Sequence, residues 1–113
     1  MISASLKGRI RFERVSRNGR RYGSDFFQLR ILANFLELNR LGIVIPMKAV
    51  RKAVERNRIR RMVKESLRTL PVELKMGFDI VIMVRSKPDV DKMQFVQDSI
   101  VKLLKSAELI ESG

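Results

Sequence analysis

The spacing of hydrophobic and polar residues changes several times along this 113-residue chain, and each change predicts the start of another element. Residues 6–18 repeat apolar positions at helical spacing, which predicts a short basic helix ended by Gly19. Residues 24–34 and 40–47 are rich in branched and aromatic side chains and therefore favour two strands. Pro46 cannot donate a backbone hydrogen bond, so the second strand ends near it or runs along an edge.

The second half of the chain shows a helical repeat on both sides of an apolar segment. From Val50 the apolar positions recur at three and four residues until Pro71 stops the helix. Residues 77–84 are almost entirely apolar, which predicts a strand that is covered on both faces. Asp91 is placed to cap a last helix, whose core-facing positions continue to Ala107. The predicted order is therefore helix, two or three strands, helix, strand and helix on one small sheet.

Composition and charge restrict the kinds of molecule that this protein is expected to bind. A single domain over residues 1–113, with an ordered core at about 6–107, fits this length and a hydrophobic content of 45%. Lys and Arg number 24 against 12 for Asp and Glu, which gives a net charge of +12 and a pI near 11.1. Such a surface attracts polyanions, and we rank nucleic acid first, anionic membranes second and acidic proteins third.

Several kinds of chemistry are excluded by residue types that the chain lacks. It contains no Cys and no His, which removes disulfides, thiolate nucleophiles, the usual zinc sites and imidazole bases. The acidic residues form no pair suited to catalysis, so we expect neither a catalytic residue nor a metal site in the protein itself. No apolar run approaches the roughly 18 residues of a membrane span, and no signal segment is visible, so we expect a cytoplasmic protein.

The predicted helix after Val50 separates its apolar and basic residues onto opposite faces. The basic sector contains Asn57, Arg60, Arg61, Lys64 and Arg68, with Arg56 and Arg58 beside it. A solvated helix face normally interleaves both charge signs, but residues 51–64 contain a single acid, Glu55. Because phosphates stabilise like charge clustered in this way, we interpret the helix as a nucleic-acid-binding element.

RNA is the favoured nucleic acid, because a predicted strand precedes the basic helix, whereas a helix-turn-helix reader of DNA needs a preceding helix. The first part of the chain also mixes aromatic rings with cations, as sites for unpaired bases do. The rings are Phe12, Tyr22, Phe26 and Phe27, and the cations are Arg9, Arg11, Arg14, Arg20 and Arg21. The alternative is that Phe26 and Phe27 are ordinary strand residues, one facing the core and one facing outward.

Residues 42–65, GIVIPMKAVRKAVERNRIRRMVKE, resemble the bacterial ribonuclease P protein subunits. That family carries a Lys-Lys pair at a strand end, an Ala-containing turn and a helix with the sequence RNR followed by further Lys/Arg pairs. The segments RFERVSRNGRR and FDIVIMV and residues 91–107 resemble the family's first helix, late core strand and last helix. The resemblance implies an α/β two-layer sandwich of ribosomal-protein type, ordered αβββαβα, with a small mixed sheet. It also implies a left-handed strand-helix-strand crossover, an exception to the right-handed rule.

The resemblance also implies a function and its partners. Members of the family join a large catalytic RNA in the endonucleolytic removal of the 5′ leader from precursor tRNA. The RNA supplies the active site and holds the Mg²⁺ ions, so the protein is expected to bind no cofactor of its own and to cleave nothing alone. The expected partners are ribonuclease P RNA and precursor tRNA, without a membrane or a further protein. The alternative is a structural RNA-binding protein of ribosomal type with no role in cleavage.

The family's two RNA-binding sites are assigned to this chain by matching positions in the sequence. For the catalytic RNA, the resemblance implicates residues of the RNR helix and of the strand end before it: Lys48, Arg51, Lys52, Arg56, Asn57, Arg58, Arg60, Arg61, Lys64 and Arg68. A cleft between the first helix and the sheet, which receives the single-stranded leader, implicates Phe12, Tyr22, Phe27, Arg9 and Arg11.

At three positions, the RNA contacts that the resemblance implies have an alternative or are expected to differ from those of the family. The Asn57 amide suits a 2′-hydroxyl or a backbone turn in RNA, and a cap or local hydrogen bond near the helix start is an equal alternative. Met47, after Pro46, replaces the first Lys of the family's pair, so one phosphate contact is expected to be missing. Ser16 stands where many relatives carry a second aromatic residue, so the cleft is expected to stack fewer bases.

Overall fold

Residues 2–88 and 92–110, which the computed structural model describes, form one mixed five-stranded sheet and three helices. In chain order the elements are β1 (Ile2–Ser5), α1 (Arg9–Asn18), β2 (Arg20–Gly23), β3 (Phe27–Ala33), β4 (Asn39–Val44), α2 (Ala53–Arg68), β5 (Phe78–Val84) and α3 (Met93–Ser106). The strands lie side by side in the order β1-β4-β5-β3-β2. This architecture confirms the predicted mixed α/β class, and the predicted order of elements holds with β1 added in front.

β5 lies at the centre of the sheet because its sequence, FDIVIMV, can be buried on both faces. β3 pairs with it antiparallel and β4 pairs with it parallel, which leaves β1 and β2 as the two edges. The parallel neighbours β4 and β5 are joined through α2, and this is the predicted strand-helix-strand crossover. The left-handedness of this crossover stays a prediction.

The two faces of the sheet are covered by different helices. Ile80 and Ile82 are fully buried in the main core, which the sheet shares with α2 and α3. Val81 lies between them in sequence, so its side chain is on the opposite face, where it packs with Leu6 and Val15 under α1. Because α1 is short, it covers only part of its face, and a cleft remains beside it.

The first helix begins later than the sequence pattern predicts. Leu6 continues the ladder of β1, since its N–H donates to the carbonyl of Leu41 at 2.8 Å. Gly8 then turns the chain with φ at 93°, and α1 starts at Arg9 rather than at residue 6. β1 itself was not predicted, because the four residues ISAS are too short a segment to signal a strand and depend on β4 for their pairing.

Gly19 follows the last residue of α1, as predicted, but for a different reason. Its backbone is extended, with φ at −75°, so it is not a left-handed helix cap. A Cβ at this position would lie 2.5 Å from the carbonyl oxygen of Val15 and 2.8 Å from that of Ile31. Gly19 therefore allows the close approach of α1 to β3.

The remaining boundaries shift by a few residues. The strand predicted over 24–34 is observed as β3, preceded by the separate edge strand β2. The strand predicted over 40–47 ends earlier, at Val44, and Pro46 starts a turn in which its carbonyl accepts from the N–H groups of Ala49 and Val50. The predicted cap Asp91 lies outside the described residues, and α3 begins after Lys92.

An ion pair between the half-buried Arg40 and the buried Asp79 joins β4 to β5 at the end where the two strands begin. Arg40 and Asp79 are partners in the parallel register, and the guanidinium donates from Nε to Oδ1 at 2.6 Å and from Nη2 to Oδ2 at 2.8 Å. Asn34 donates to the same carboxylate at 3.0 Å. The hydrogen bonds from Arg40 to Asp79 raise the pKa of the guanidinium above its ordinary value. The carboxylate on the core strand is thus fully engaged in structure.

Candidate nucleic-acid interface

The basic face of the molecule lies on α2 and the loop before it. We define it by eight polar or cationic residues whose side chains are exposed: Lys48, Arg51, Lys52, Asn57, Arg58, Arg61, Lys64 and Arg68. The helix presents them because Ile59, Val63 and Leu67 occupy the opposite side and are buried in the main core. Eight of the ten positions predicted to contact RNA thus share one accessible surface.

Arg56 and Arg60, the other two predicted positions, have structural partners. Arg56 donates from Nη1 to the carbonyls of Val50 and Arg51, at 3.0 and 2.7 Å, and so ties the preceding loop to the helix. Arg60 donates to the carbonyl of Ile43 at 3.0 Å and ties the helix to β4. Both side chains are half-buried, which places them at the flank of the basic face.

Two acids pair with cations around α2. Glu65 accepts two hydrogen bonds from Arg68, one of them from Nε at 3.0 Å, and these bonds lower the pKa of the carboxyl. Glu55 forms an ion pair with Lys87 in the segment after β5, and the hydrogen bond from Lys87 lowers the pKa of Glu55. Arg61 and Lys64 are exposed between these pairs and have no ion-pair partner among the described residues.

Asn57 lies one turn into α2, on the basic face. The residue that precedes the helix is Lys52, so Asn57 is not the helix cap. Its exposed amide makes no hydrogen bond to another described residue. Of the two roles predicted for it, contact with RNA is the one this position favours.

A cleft of about 270 Å³ opens on the other face of the sheet, beside α1. We call it the α1 cleft; its lining includes Phe12, Ser16, Arg30, Val44, Val81 and Met83. Glu13 also lines it and forms an ion pair with the exposed Arg9 at 2.9 Å. The lining of the cleft is thus mostly apolar and includes one cation, Arg30, and one acid, Glu13.

Arg30 is the cation among the residues that line the α1 cleft. Its Nη1 donates to the Ser16 hydroxyl at 2.5 Å, and its Nε donates to Gln28 Oε1 at 3.1 Å. The Ser16 side chain is small, and its hydroxyl accepts this hydrogen bond from the Arg30 guanidinium. The cleft therefore combines one aromatic ring, Phe12, with one guanidinium.

Phe12 approaches the sheet closely because Gly42 has no side chain. A Cβ at Gly42 would collide with Cζ and Cε1 of the Phe12 ring. The same ring also lines a larger groove of about 990 Å³, whose lining includes Arg60 and Lys64. Phe12 thus stands between the α1 cleft and the cations of α2.

The predicted placement of Phe27 and Tyr22 in the cleft is wrong. Phe27 is fully buried in the main core, on the sheet face that α2 and α3 cover. Tyr22 pairs with Leu29 across β2 and β3, and it packs against the same core. Phe26 packs edge-on against Phe95, with ring centroids 5.2 Å apart.

The predicted cations of the cleft lie outside it. Arg9 and Arg11 are exposed on α1, and neither side chain lines the α1 cleft, so their contact with RNA stays a prediction. Sequence reasoning missed Arg30. The alternation of β3 could have identified it, because Phe27, Leu29 and Ile31 are buried while Gln28 and Arg30 alternate with them on the cleft side.

No three acidic side chains gather closely enough in residues 2–88 and 92–110 to form a metal site. The same described part of the chain contains no helix that is long and apolar enough to cross a membrane.

These features define a class: a small basic α/β protein with cations arrayed on one helix and an apolar cleft under another. The chain belongs to the ribonuclease P protein family, because the family model for Ribonuclease P matches residues 2–108. Membership implies participation in tRNA processing and an RNA partner in the holoenzyme.

Named relatives and solved structures agree with this membership. A ribonuclease P protein component from Caldanaerobacter subterraneus subsp. tengcongensis is 36% identical over 106 residues, which cover 94% of this chain and 90% of the relative. One from Clostridium botulinum is 35% identical, with 85% and 86% covered. The RNase P protein of Staphylococcus aureus superposes with a TM-score of 0.82 at 26% identity, with 95% and 97% covered. That of Thermotoga maritima superposes with a TM-score of 0.79 at 29% identity, with 90% and 96% covered.

Proposed function

We propose that this protein binds the catalytic RNA of ribonuclease P through the basic face and holds the single-stranded 5′ leader of precursor tRNA in the α1 cleft. The observation that carries the proposal is the separation of the two surfaces. A row of exposed cations suited to phosphates lies on α2, and a cleft with an aromatic ring lies on the opposite face of the sheet. One molecule is thereby able to contact two RNA segments.

The basic face fits a phosphate backbone better than it fits a base edge. Its members are long and exposed, and in the stretch from Arg51 to Lys64 they are accompanied by one acid, Glu55, which Lys87 already pairs. Each phosphate that such a cation neutralises releases counterions, so affinity is expected to fall steeply with salt. The amide of Asn57 adds a group that can donate to and accept from a 2′-hydroxyl.

The α1 cleft fits an unpaired strand better than it fits a duplex. A volume of about 270 Å³ is too small for paired RNA, and the Phe12 ring gives a surface on which a base stacks. The leader can continue from the cleft past Phe12 toward Lys64, because the ring also lines the larger groove.

In this proposal the RNA subunit performs the cleavage. The protein contains no His or Cys, and its buried carboxylate Asp79 is engaged by Arg40 and Asn34. The Mg²⁺ ions needed for phosphodiester hydrolysis are accordingly assigned to the RNA, where they would stabilise the attacking and leaving oxygens. The protein contributes affinity and positioning of the substrate.

Reconstitution tests the proposal. The purified protein is added to a bacterial ribonuclease P RNA at low magnesium, and leader release from precursor tRNA is followed, with the protein alone run beside it. We expect stimulation that requires the RNA and that falls in the double variant Arg61→Met/Lys64→Met. The matched control is Lys102→Met/Lys105→Met, which removes two exposed cations at the same spacing from α3. Tight RNA binding without stimulation would instead support a structural RNA-binding protein of ribosomal type.

A further inference from the structure

We propose that the end of the molecule where β3 ends and β5 begins docks a protein partner through a segment that is both apolar and basic. We call this surface the acidic end; it consists of residues 34–39, 70–77 and 107–110. Exposed apolar side chains and acids without ion-pair partners distinguish it from the basic face and from the α1 cleft.

Hydrogen bonds between backbone and side chains join the three segments of the acidic end. Asn39 donates from Nδ2 to the carbonyl of Lys75 at 2.8 Å. The N–H of Asn34 donates to the carbonyl of Gly77 at 2.8 Å, and that of Lys75 donates to the carbonyl of Leu109 at 2.8 Å. Because the surface is already ordered, a partner that binds it loses less conformational entropy.

Four large apolar side chains are exposed at this end. Phe35 is 94% exposed, and Leu36, Val72 and Met76 are 45%, 43% and 50% exposed. Val72 and Met76 line the same groove, and a Cβ on Gly77 would lie 3.1 Å from the carbonyl oxygen of Leu36. The apolar residues of the two loops are therefore neighbours, and apolar side chains exposed together are typical of an interaction site.

Phe35 is held outward by a backbone conformation that bulky residues rarely adopt. Its φ is 60°, in the left-handed region. Asn34 stabilises the turn, since its Oδ1 accepts from the N–H of Leu36 at 2.8 Å and its Nδ2 donates to the carbonyl of Leu38 at 3.2 Å. The ring is thus presented in a fixed position, as suits an aromatic anchor that enters a pocket of a partner.

The charge of this end decides the chemistry of the partner. Glu37, Glu73 and Glu108 are exposed and have no ion-pair partner among the described residues, and Lys75 is the single cation of the three segments. Carboxylates repel the phosphates of RNA and the head groups of anionic membranes. A protein segment with apolar side chains flanked by Lys or Arg complements both the apolar residues and the acids.

The acidic end is separated from the loop that begins the basic face. Arg51 and Lys52 precede α2, whereas residues 70–77 follow it. α2 contains 16 residues and therefore spans about 24 Å. A partner at the acidic end and an RNA at the start of α2 thus occupy different parts of the surface.

A peptide of defined composition tests the chemistry of the partner. The probe is a fluorescent amphipathic peptide of Leu and Lys at helical spacing, about 15 residues long. Fluorescence anisotropy measures its Kd for the full chain, without RNA, because a cationic peptide would also bind RNA. We expect saturable binding, which weakens by about tenfold or more when Ser replaces Leu in the peptide. Absence of binding, or equal binding of the Ser peptide, overturns the proposal.

Variants of the acidic end locate the site of the peptide. Phe35→Asn removes the ring and keeps a residue that tolerates the left-handed backbone. Glu37→Gln/Glu73→Gln removes two of the acids. We expect each variant to raise the Kd of the Leu/Lys peptide by about tenfold. Thermal unfolding verifies that each variant is folded.

Matched controls remove the same kinds of side chain elsewhere. Asp25→Asn/Asp98→Asn removes two exposed acids, and Val54→Ala removes an exposed apolar side chain from α2. Both controls are expected to retain the Kd of the wild type. Equal losses in the controls and in the variants of the acidic end overturn the assignment of the site.

Photo-cross-linking identifies the occupant in cells that make the protein. Benzoylphenylalanine takes the place of Phe35, and mass spectrometry identifies the cross-linked segment. We expect a segment of another protein that combines apolar residues with Lys or Arg, and we expect Glu37→Gln/Glu73→Gln to abolish the cross-link. A cross-link to RNA or to a second copy of this chain, or none to any protein, overturns the proposal.

Discussion

Phe12 and Phe27 are both aromatic residues close to arginines in sequence, yet their side chains lie in different parts of the structure. Phe12 is half-buried against Gly42 and lines the α1 cleft. Phe27 is fully buried in the core formed by the sheet, α2 and α3. Arg30, three residues further along β3, takes a place in the cleft that the sequence pattern suggested for aromatic rings. Which of these side chains line the α1 cleft thus depends on the face of the sheet toward which each one points, more than on its residue type.

Phe27→Ala is expected to act on stability and not on leader recognition. Removing a fully buried ring leaves a cavity, so the free energy of unfolding should fall by about 3–5 kcal/mol. Denaturant unfolding gives this value. Under conditions where the variant is folded, precursor and mature tRNA should lose affinity equally. A loss confined to the precursor would return Phe27 to the leader site.

Gly42→Ala is expected to disturb leader recognition through Phe12. The added Cβ collides with the ring, which must move out of its place over β4, at a cost in stability of about 1–3 kcal/mol. The holoenzyme should lose affinity for precursor tRNA severalfold and keep its affinity for mature tRNA. A second variant, Phe12→Leu, should show the same selective loss. Unchanged discrimination in both variants would remove Phe12 from the site.

At the scale of elements, α2 carries two kinds of arginine. Arg56 and Arg60 hold backbone carbonyls of the preceding loop and of β4, whereas Arg61 and Lys64 are exposed. Mutation of Arg60 would therefore mix a structural loss with a loss of RNA contact. Arg61 and Lys64 are the cleaner probes of the basic face.

The double variant Arg61→Met/Lys64→Met should flatten the salt dependence of RNA binding. If each cation neutralises one phosphate, the slope of log affinity against log salt should fall by about one to two units. Binding titrations at several salt concentrations measure the slope. Lys102→Met/Lys105→Met changes the net charge by the same amount and should leave the slope near that of the wild type. Equal slopes for all three proteins would place the basic face outside the interface.

The ion pair of Glu55 and Lys87 should make the attachment of α2 sensitive to acid. The pKa of Glu55 is lowered from its ordinary value of 4.5, so the pair stabilises the fold above that pH and loses its effect as the pH falls through the lowered pKa. Glu55→Gln should thus be less stable than the wild type at pH 6, and the difference should shrink as the pH is lowered below 4.5. Urea unfolding across this pH range tests this, with the exposed Glu37→Gln as control.

At the scale of the whole molecule, a net charge of +12 on 113 residues opposes folding and promotes binding to RNA. Raising the salt screens the repulsion between cations within the free protein, but it also weakens their attraction to phosphates. The same change in solution should therefore have opposite effects on the two states.

Salt should raise the Tm of the free protein by a few degrees and reduce the additional stabilisation that ribonuclease P RNA provides. Thermal unfolding monitored by circular dichroism between low and high salt, with and without RNA, gives both trends. A stabilisation by RNA that does not diminish with salt would argue against phosphate contacts as the source of affinity.

The sequence by itself determined the elements that local periodicity encodes. The alternation of β3, the apolar run of β5 and the opposed faces of α2 follow from spacing alone. The family resemblance at residues 42–65 predicted the RNA partner, and the family model agrees with it. The edge strand β1 was missed, because four residues are too short a pattern to signal a strand and the segment depends on its pairing with β4.

Only the tertiary structure decided which face of the sheet forms the cleft and what chemistry the cleft holds. Periodicity states which residues share a face of one element, but it does not state which other element covers that face. That choice depends on contacts between distant positions, such as Ser16 with Arg30, 14 residues apart, and Arg40 with Asp79, 39 residues apart. Arg30 enters the α1 cleft and Phe27 enters the core because α1 and the pair of α2 and α3 pack on opposite sides of the same strand.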